Sequence, residues 1–281
     1  MRTLTGRAKL AGVMGWPVTH SRSPRLHGFW LAQHDIDGAY LPLPVRPENL
    51  AAALKALPAL GFAGVNLTVP HKEAALRLVE RVSDEARRIG AVNTIVVGAD
   101  GLLEGSNTDG YGFMAHLKAA APLWRAKNSA AVILGAGGAA RAIAVALLDA
   151  GVGEIRLVNR TLARAEALAA EFGKGVKAIG WAERNAALED AGLLVNSTTL
   201  GMSGQPALEI DLRHLPATAV VYDIVYVPLE TRLLAAARRR GHVAVDGLGM
   251  LLHQAVPGFA VWFGITPEVT PELREFVLAA L

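Results

Sequence analysis

The sequence predicts an α/β protein of two domains, the second of which contains a doubly wound parallel sheet. The chain has 281 residues, which is enough for two modest domains or one large one. Apolar residues make up 52% of the chain and charged residues 19%, as in globular rather than disordered proteins. Apolar segments of strand length alternate with helically spaced segments, and after residue 247 only helical spacing remains.

The first hundred residues alternate strand and helix. Strands are predicted at 9–14, 40–45 and 62–69, and helices from residue 23, at 48–57 and at 71–81. Ser23 followed by Pro24 is typical of a helix start, because serine can cap and proline tolerates the first turn. A hairpin is predicted for 94–97 and 102–104 around Asp100-Gly101.

The second half of the chain predicts a six-stranded doubly wound sheet. Its strands are expected at 131–134, 154–158, 176–179, 193–196, 220–225 and 243–245, and its clearest helices at 135–149 and 161–172. A helix over 111–120 is expected to join the halves. We therefore predict a first domain of residues 1–109, completed by C-terminal helices in 247–281, and a second domain of residues 110–246.

Composition excludes several classes of protein. The formal net charge of +3 predicts neither nucleic acid nor anionic membrane as a partner, and the Arg238-Arg239-Arg240 run is interpreted as a solvated helix end. The chain has no cysteine, which excludes disulfides, thiolate metal sites and a catalytic thiol and fits a cytoplasmic protein. We identify no signal peptide, and the apolar stretch 130–151 contains Arg141 and several glycines, unlike a membrane span. No metal-ligand spacing is present, so no metal is expected.

A glycine motif opens the second domain. Gly135, Gly137 and Ala140 occupy the three positions of a G-x-G-x-x-A pattern between a strand and a helix. The first glycine permits a tight turn, the second lets backbone approach a pyrophosphate, and the alanine lets helix pack on strand. The pattern indicates a Rossmann-like dinucleotide site. The alternative is a plain tight connection between a strand and a helix.

The end of the next strand indicates which dinucleotide binds. An NAD site usually has a carboxylate about twenty residues after the glycines, where it binds the ribose 2′-hydroxyl. Here Asn159 is followed by Arg160 and Thr161, with Arg164 one helical turn later. A guanidinium can hold a 2′-phosphate that a carboxylate would repel, so the sequence predicts NADP. The alternative is that both arginines are ordinary surface cations.

Polar residues also follow strand ends in the first domain. Ser21 and Ser23 lie two residues apart before a helix, and such hydroxyls with free backbone amides suit a carboxylate or a polyol. Lys72 follows a strand at the start of a helix, and Asn93 and Asp109 lie in polar segments at two further strand ends. Open α/β sheets place their ligands at such strand ends.

These segments, in this order, resemble the shikimate dehydrogenase family across nearly the whole chain. The resemblance continues in 196–202, in 222–228 with Thr231, and in 247–254. Each segment alone is modestly specific, whereas the ordered set is highly specific. One departure is Gly28, where the family commonly has asparagine; the change costs the helix some stability but touches no expected ligand.

The resemblance implies roles for individual residues. Lys72 and Asp109 correspond to the catalytic pair, and Ser21 and Ser23 to the residues that bind the substrate carboxylate. Further pocket residues are implied at Thr68, Asn93, Tyr226 and Gln254. Cofactor-binding residues are implied at Gly135, Ala136, Gly137, Gly138, Ala139, Asn159, Arg160, Thr161, Arg164, Ile224 and Gly247.

The implied reaction is the reversible reduction of 3-dehydroshikimate to shikimate by NADPH, in chorismate and aromatic amino-acid biosynthesis. The implied partners are small molecules, with the protein a monomer or a homodimer. Lys72 acts either as an acid and base or mainly as a positioned charge. The alternatives are a quinate/shikimate or aminoshikimate dehydrogenase, a ligand-binding sensor without catalysis, and a generic NADP-binding module. The last leaves the polar motifs of the first domain without a purpose.

Overall fold

The computed structural model describes residues 3–127 and 129–279, which form two compact units. Unit 1 contains the described residues up to Asp109 and from Leu251 onwards, and unit 2 contains Gly110–Met250. The second boundary thus follows Met250, whereas the sequence places it after residue 246. Residues 1, 2, 280 and 281 of the predicted first domain lie outside the described residues.

Unit 1 contains one mixed sheet. In chain order its first elements are β1 (Lys9–Gly15), α1 (Ser23–Gln33), β2 (Gly38–Pro44), α2 (Leu50–Ala56), β3 (Phe62–Leu67), α3 (Lys72–Ala75), β4 (Arg81–Val82), α4 (Asp84–Ile89), β5 (Thr94–Val97) and β6 (Leu103–Ser106). The strand order is β2-β1-β3-β5-β6-β4, with β1 parallel to both of its neighbours. The predicted hairpin is confirmed: β5 and β6 pair antiparallel, and Gly101 takes the positive φ of +78° that the turn needs.

Unit 2 contains the predicted doubly wound sheet. The elements that follow are α5 (Asp109–Ala120), β7 (Ala130–Leu134), α6 (Gly138–Asp149), β8 (Glu154–Asn159), α7 (Leu162–Phe172), β9 (Val176–Gly180), β10 (Ala191–Asn196), β11 (Val220–Asp223), α8 (Arg232–Arg239), β12 (Val243–Val245), α9 (Leu248–Phe263) and α10 (Pro271–Leu278). Of these, α10 and the part of α9 from Leu251 onwards belong to unit 1. The sheet order is β12-β11-β10-β7-β8-β9, and every neighbouring pair is parallel. The order reverses between β7 and β10, where doubly wound sheets bind their ligands.

Alternate side chains of the unit 2 strands enter two different cores. On β7, Ile133 packs into one buried cluster, while its neighbours Val132 and Leu134 pack into the other. Because successive side chains of a strand point to opposite faces, both faces of this sheet are covered. This double coverage explains the continuous apolar runs of the central strands β7 and β10. No helix within the described ranges is long and apolar enough to cross a membrane.

The predicted helix over 71–81 is wrong. Only α3, a single turn, is helical, and the chain then passes through turns into the short strand β4. Ala75 belongs to the buried core of unit 1, and Leu78 and Val79 pack against it. The helix-like spacing of these apolar residues therefore arises from consecutive turns that face the same core, and not from a continuous helix.

The predicted cap at Ser23 is also wrong, because Ser23 is the first helical residue of α1 and Arg22 precedes the helix without a side-chain cap. Helix α4 was missed although its signals are local. Ser83 accepts a hydrogen bond from the Ala86 N–H, and Gly90 ends the helix at φ +74°.

Candidate active site

Unit 1 brings Lys72 and Asp109 into direct contact. Lys72 is the first residue of α3 and Asp109 the first residue of α5. The Lys72 Nζ donates to Asp109 Oδ2 at 2.5 Å, and the two side chains are 22% and 8% exposed. The carboxylate is therefore largely withdrawn from water, while part of the lysine remains accessible to a ligand.

Two amide side chains fix the position of Asp109. Its second oxygen, Oδ1, accepts from Asn93 Nδ2 at 2.8 Å, and its backbone N–H donates to Asn107 Oδ1 at 3.0 Å. The Lys72 carbonyl accepts from the Val92 N–H at 2.8 Å, which holds the lysine backbone beside the same strand end. The pair is thus held in place by its surroundings before any substrate arrives.

Asn93 and Gln254 lie in the same network. The Asn93 Oδ1 accepts from the Thr108 N–H at 2.9 Å, and Thr108 Oγ1 lies 3.5 Å from Gln254 Oε1. All three side chains are buried. Thr108 and Asn107 received no role from the sequence, although the polar run that contains them follows a strand directly.

The two serines and Thr68 follow strands β1 and β3 of the same sheet. Ser21 Oγ accepts from the Ser23 N–H at 3.3 Å, so the predicted carboxylate-binding residues are neighbours. The Thr68 N–H donates to Met14 O at 2.9 Å. A Cβ at Gly15 would lie 2.4 Å from Thr68 Cγ2, so only glycine allows this approach. Unit 1 therefore contains every predicted substrate residue except Tyr226.

The glycine turn of unit 2 has the local geometry of a phosphate-binding loop. Gly135 has a φ of +111°, and a Cβ there would lie 2.7 Å from Ser197 Oγ. Gly137 precedes α6 without a side-chain cap, and a Cβ at Gly137 or Gly138 would meet nothing within 4 Å. Ala140 is fully buried. The strained position thus carries glycine, the open backbone at the helix start suits an anion, and the alanine packs inside.

The predicted 2′-phosphate residues follow the neighbouring strand. The Gly135 N–H donates to Val158 O at 2.8 Å, which joins the glycine turn to the end of β8. The Asn159 Nδ2 donates to Thr161 O at 2.9 Å, closing the turn that carries Arg160. Arg160, Thr161 and Arg164 are exposed. These residues therefore fit an NADP site, with both guanidinium groups accessible.

Ile224 and Gly247 are close neighbours within unit 2. A Cβ at Gly247 would lie 2.0 Å from the Ile224 carbonyl oxygen, so this approach needs glycine. Tyr226 is half-buried in the same unit. Its predicted place in the substrate pocket remains a prediction.

Asp223 anchors the segment that carries Ile224. Its carboxylate is fully buried and accepts from Thr231 Oγ1 at 2.7 Å, Asn196 Nδ2 at 2.9 Å and the Val225 N–H at 3.1 Å. Burial raises the pKa of Asp223 to about 6, and these three hydrogen bonds oppose the rise. Thr231 also caps α8 by accepting from the Leu234 N–H. A single carboxylate thus joins two strand ends to a helix.

Among residues 3–127 and 129–279, no group of three or more His, Asp or Glu side chains could hold a metal ion.

Two family models match the chain. The model described as "Shikimate dehydrogenase substrate binding domain" matches residues 13–95, and "Shikimate / quinate 5-dehydrogenase" matches residues 118–208. The chain is 62% identical over 276 residues to the shikimate dehydrogenase (NADP(+)) of Paramagnetospirillum magneticum, which covers 98% of this chain and 100% of that relative. The chain belongs to the shikimate dehydrogenase family. The resemblance of the sequence motifs to this family is thereby confirmed.

Solved structures of the shikimate dehydrogenase family and its neighbours share the fold of the whole chain. The shikimate 5-dehydrogenase of Thermus thermophilus, in complex with NADP(H) and shikimate, is 40% identical with a TM-score of 0.87, covering 97% of this chain and 100% of that one. The quinate dehydrogenase of Corynebacterium glutamicum, in complex with NAD, is 34% identical with a TM-score of 0.89, covering 97% and 99%. Similar folds therefore serve different substrates and cofactors, and the residues of this chain must distinguish them.

Proposed function

We propose that this protein is an NADP-dependent oxidoreductase that interconverts 3-dehydroshikimate and shikimate, in chorismate and aromatic amino-acid biosynthesis. The observation that carries the proposal is the Lys72–Asp109 contact of 2.5 Å, with Asn93 on the second carboxylate oxygen. Similarity to NADP-dependent shikimate dehydrogenases over nearly the full length supports the same reaction. A lysine fixed by a shielded carboxylate suits a ketone that becomes a hydroxyl, because negative charge develops on the oxygen.

NADPH, when bound, supplies the hydride. The Lys72 ammonium hydrogen-bonds the ketone oxygen and gives it a proton as the negative charge develops. In the oxidative direction a neutral Lys72 accepts that proton. Asp109 keeps Lys72 in place through Oδ2, and its carboxylate hydrogen-bonds the hydroxyl adjacent to the reacting carbon. Because Asn93 fixes the other oxygen, Asp109 need not reorient during the reaction.

The remaining residues of unit 1 bind the ends of the substrate. Ser21 and Ser23 hydrogen-bond the substrate carboxylate, supported by the close spacing of their backbone and hydroxyl groups. Thr68 and Gln254 contact the ring hydroxyls or the carboxylate. For Tyr226 the resemblance to the family implies a substrate-binding role as well. Binding at several points orients the ketone toward Lys72, which converts binding energy into rate.

In unit 2, the backbone of Gly137 and Gly138 would hold the pyrophosphate, with Gly135, Ala136 and Ala139 shaping the turn. Arg160 and Arg164 would hold the 2′-phosphate beside Asn159 and Thr161. Ile224 and Gly247 form the other close-packed part of the cofactor site. We expect the substrate and the cofactor as partners, no nucleic acid or membrane, and either a monomer or a homodimer.

Steady-state kinetics with shikimate and quinate, each with NADP and with NAD, test this proposal. We expect the highest kcat/KM for shikimate with NADP. Ser21→Ala should raise the KM for shikimate and leave the KM for NADP unchanged, because Ser21 is assigned to the substrate and not to the cofactor. A preference for quinate with NAD would instead identify a quinate dehydrogenase. Tight shikimate binding in calorimetry without turnover would identify a sensor.

A further inference from the structure

A continuous chain of buried hydrogen bonds ends on the Asp109 carboxylate. It begins at Tyr40 on β2, whose hydroxyl lies 2.6 Å from Asn66 Oδ1. The Asn66 Nδ2 donates to Thr94 Oγ1 at 3.1 Å, and Thr94 Oγ1 lies 2.8 Å from Asn93 Oδ1. Asn93 Nδ2 then reaches Asp109 Oδ1 at 2.8 Å. We call Tyr40, Asn66, Thr94 and Asn93 the donor chain.

The direction of each bond in the donor chain follows from backbone groups that cannot change role. The backbone carbonyl of Asn93 can only accept, and its oxygen lies 3.2 Å from Asn66 Nδ2. The side-chain oxygen of Asn66, Oδ1, must therefore face Tyr40. The Tyr40 hydroxyl is therefore the donor. At the other end, the Thr108 N–H only donates, so the Asn93 side-chain oxygen faces Thr108 and its nitrogen faces Asp109.

Every donor of the chain thus points toward the carboxylate. Thr94 accepts from Asn66, so its own hydrogen is free to donate to Asn93 Oδ1. Aligned donors polarise one another, and their sum stabilises a negative charge at the end of the series. The donor chain therefore stabilises the negative charge of Asp109 at Oδ1, and the Lys72 ammonium stabilises it at Oδ2.

Tyr40 is held as a donor by its surroundings. It is 6% exposed, and burial raises the pKa of its phenol well above the usual range, with the nearby Ser23 hydroxyl opposing the shift. Its ring stacks on the buried imidazole of His27, with centroids 3.9 Å apart and planes 3° from parallel. The phenol therefore keeps its proton and its orientation.

We propose that Tyr40 is a positioning residue for the reaction, acting on the Asp109 carboxylate through the donor chain. The inference rests on the proposed function. It assigns a part in fixing the catalytic pair to Tyr40, which is separated from Asp109 by three side chains of the donor chain.

Single-turnover reduction of 3-dehydroshikimate, followed by loss of NADPH absorbance, tests the inference in Tyr40→Phe. This variant keeps the ring and removes only the donor. We expect the rate at saturating 3-dehydroshikimate to fall roughly three- to tenfold, as for one hydrogen bond of a buried network. Saturation is needed because the Tyr40 hydroxyl also neighbours the Ser23 hydroxyl, so the substitution can change shikimate binding separately. In an Asp109→Asn background, the added Tyr40→Phe change should alter the rate by less than about twofold, because its target charge is gone.

His27→Phe is the matched control, since it changes the stacked ring without breaking a hydrogen bond of the donor chain. Because phenylalanine still offers a ring for Tyr40 to stack on and the donor chain stays intact, the rate of His27→Phe should stay within about twofold of the parent. An unchanged rate in Tyr40→Phe, an equal loss in both Asp109 backgrounds, or an equal loss in His27→Phe would overturn the inference. A parent protein that does not reduce 3-dehydroshikimate at all would instead contradict the proposed function.

Discussion

Asp223→Asn replaces a buried carboxylate with an amide of the same shape. The amide oxygen can still accept from Asn196 Nδ2 and from the Val225 N–H, as Oδ1 does now. The new NH2 group can donate to Thr231 Oγ1, which lies 2.7 Å from Oδ2. The substitution therefore removes the charge and leaves each of these partners with a hydrogen bond.

The expected effect on stability depends on pH. In the native state the pKa of Asp223 is raised to about 6, compared with 3.8 for an unperturbed group. Between these values the native state holds a proton that the unfolded state has lost. Stability from this group is therefore complete below pH 3.8 and is lost as the pH rises through 6. At about 1.4 kcal/mol per pH unit, the parent loses about 3 kcal/mol relative to the Asn variant over this interval.

Urea unfolding of the parent and the Asp223→Asn variant, from about pH 4 to about pH 8, measures this difference. The pH dependence that comes from titratable groups common to both proteins cancels in the difference between their free energies of unfolding. Asp211→Asn is the matched control: the pKa of Asp211 is lowered to about 2, first by Arg213, so its linkage falls below the measured range. A difference between parent and Asp223→Asn that does not change with pH, or that changes in the opposite direction, would refute the reasoning.

Three further predictions concern other residues. Burial lowers the pKa of His27 to about 3. As the pH falls below 6.5, the free energy of unfolding of the parent should therefore fall by up to about 1.4 kcal/mol per pH unit relative to that of His27→Phe; the same pH dependence in both proteins would argue against this. Arg160→Ala should weaken NADP binding by roughly 1.5–3 kcal/mol and spare NAD in calorimetry, whereas Arg213→Ala should change neither; equal loss for both cofactors would remove the 2′-phosphate assignment. Gly28→Ala should stabilise α1 by about 0.5–1 kcal/mol, because a Cβ there meets nothing within 4 Å; a lower melting temperature would be the contrary result.

Local chemistry explains why the glycine turn after β7 was predictable from the sequence. The turn after β7 needs glycine at a positive φ, an open helix start and a small packed residue, and each requirement is visible within six residues. The same holds for the hairpin at Asp100-Gly101. The sheet of unit 2 was predictable because both of its faces are buried, which gives the central strands β7 and β10 apolar runs.

The donor chain could not be predicted from sequence. Tyr40 and Asn66 are 26 residues apart, and their contact depends on the register of β2, β1 and β3. An amide in the buried strand β3 was the available signal, since a polar side chain there needs partners. The sequence could not say which partners, or which way the donors point. Helix α4 is a different case, because its cap residues Ser83 and Gly90 are recognisable in the sequence.

The most direct test of the central claim is the turnover of Lys72→Ala at saturating shikimate and NADP, with shikimate binding measured on the same protein. Lys55→Ala, which removes a lysine from the last turn of α2, is the matched control. If Lys72 stabilises the transition state, kcat should fall by roughly 10²–10⁴-fold in Lys72→Ala, while shikimate still binds and the control is unaffected. Turnover of Lys72→Ala within about threefold of the parent would contradict the account.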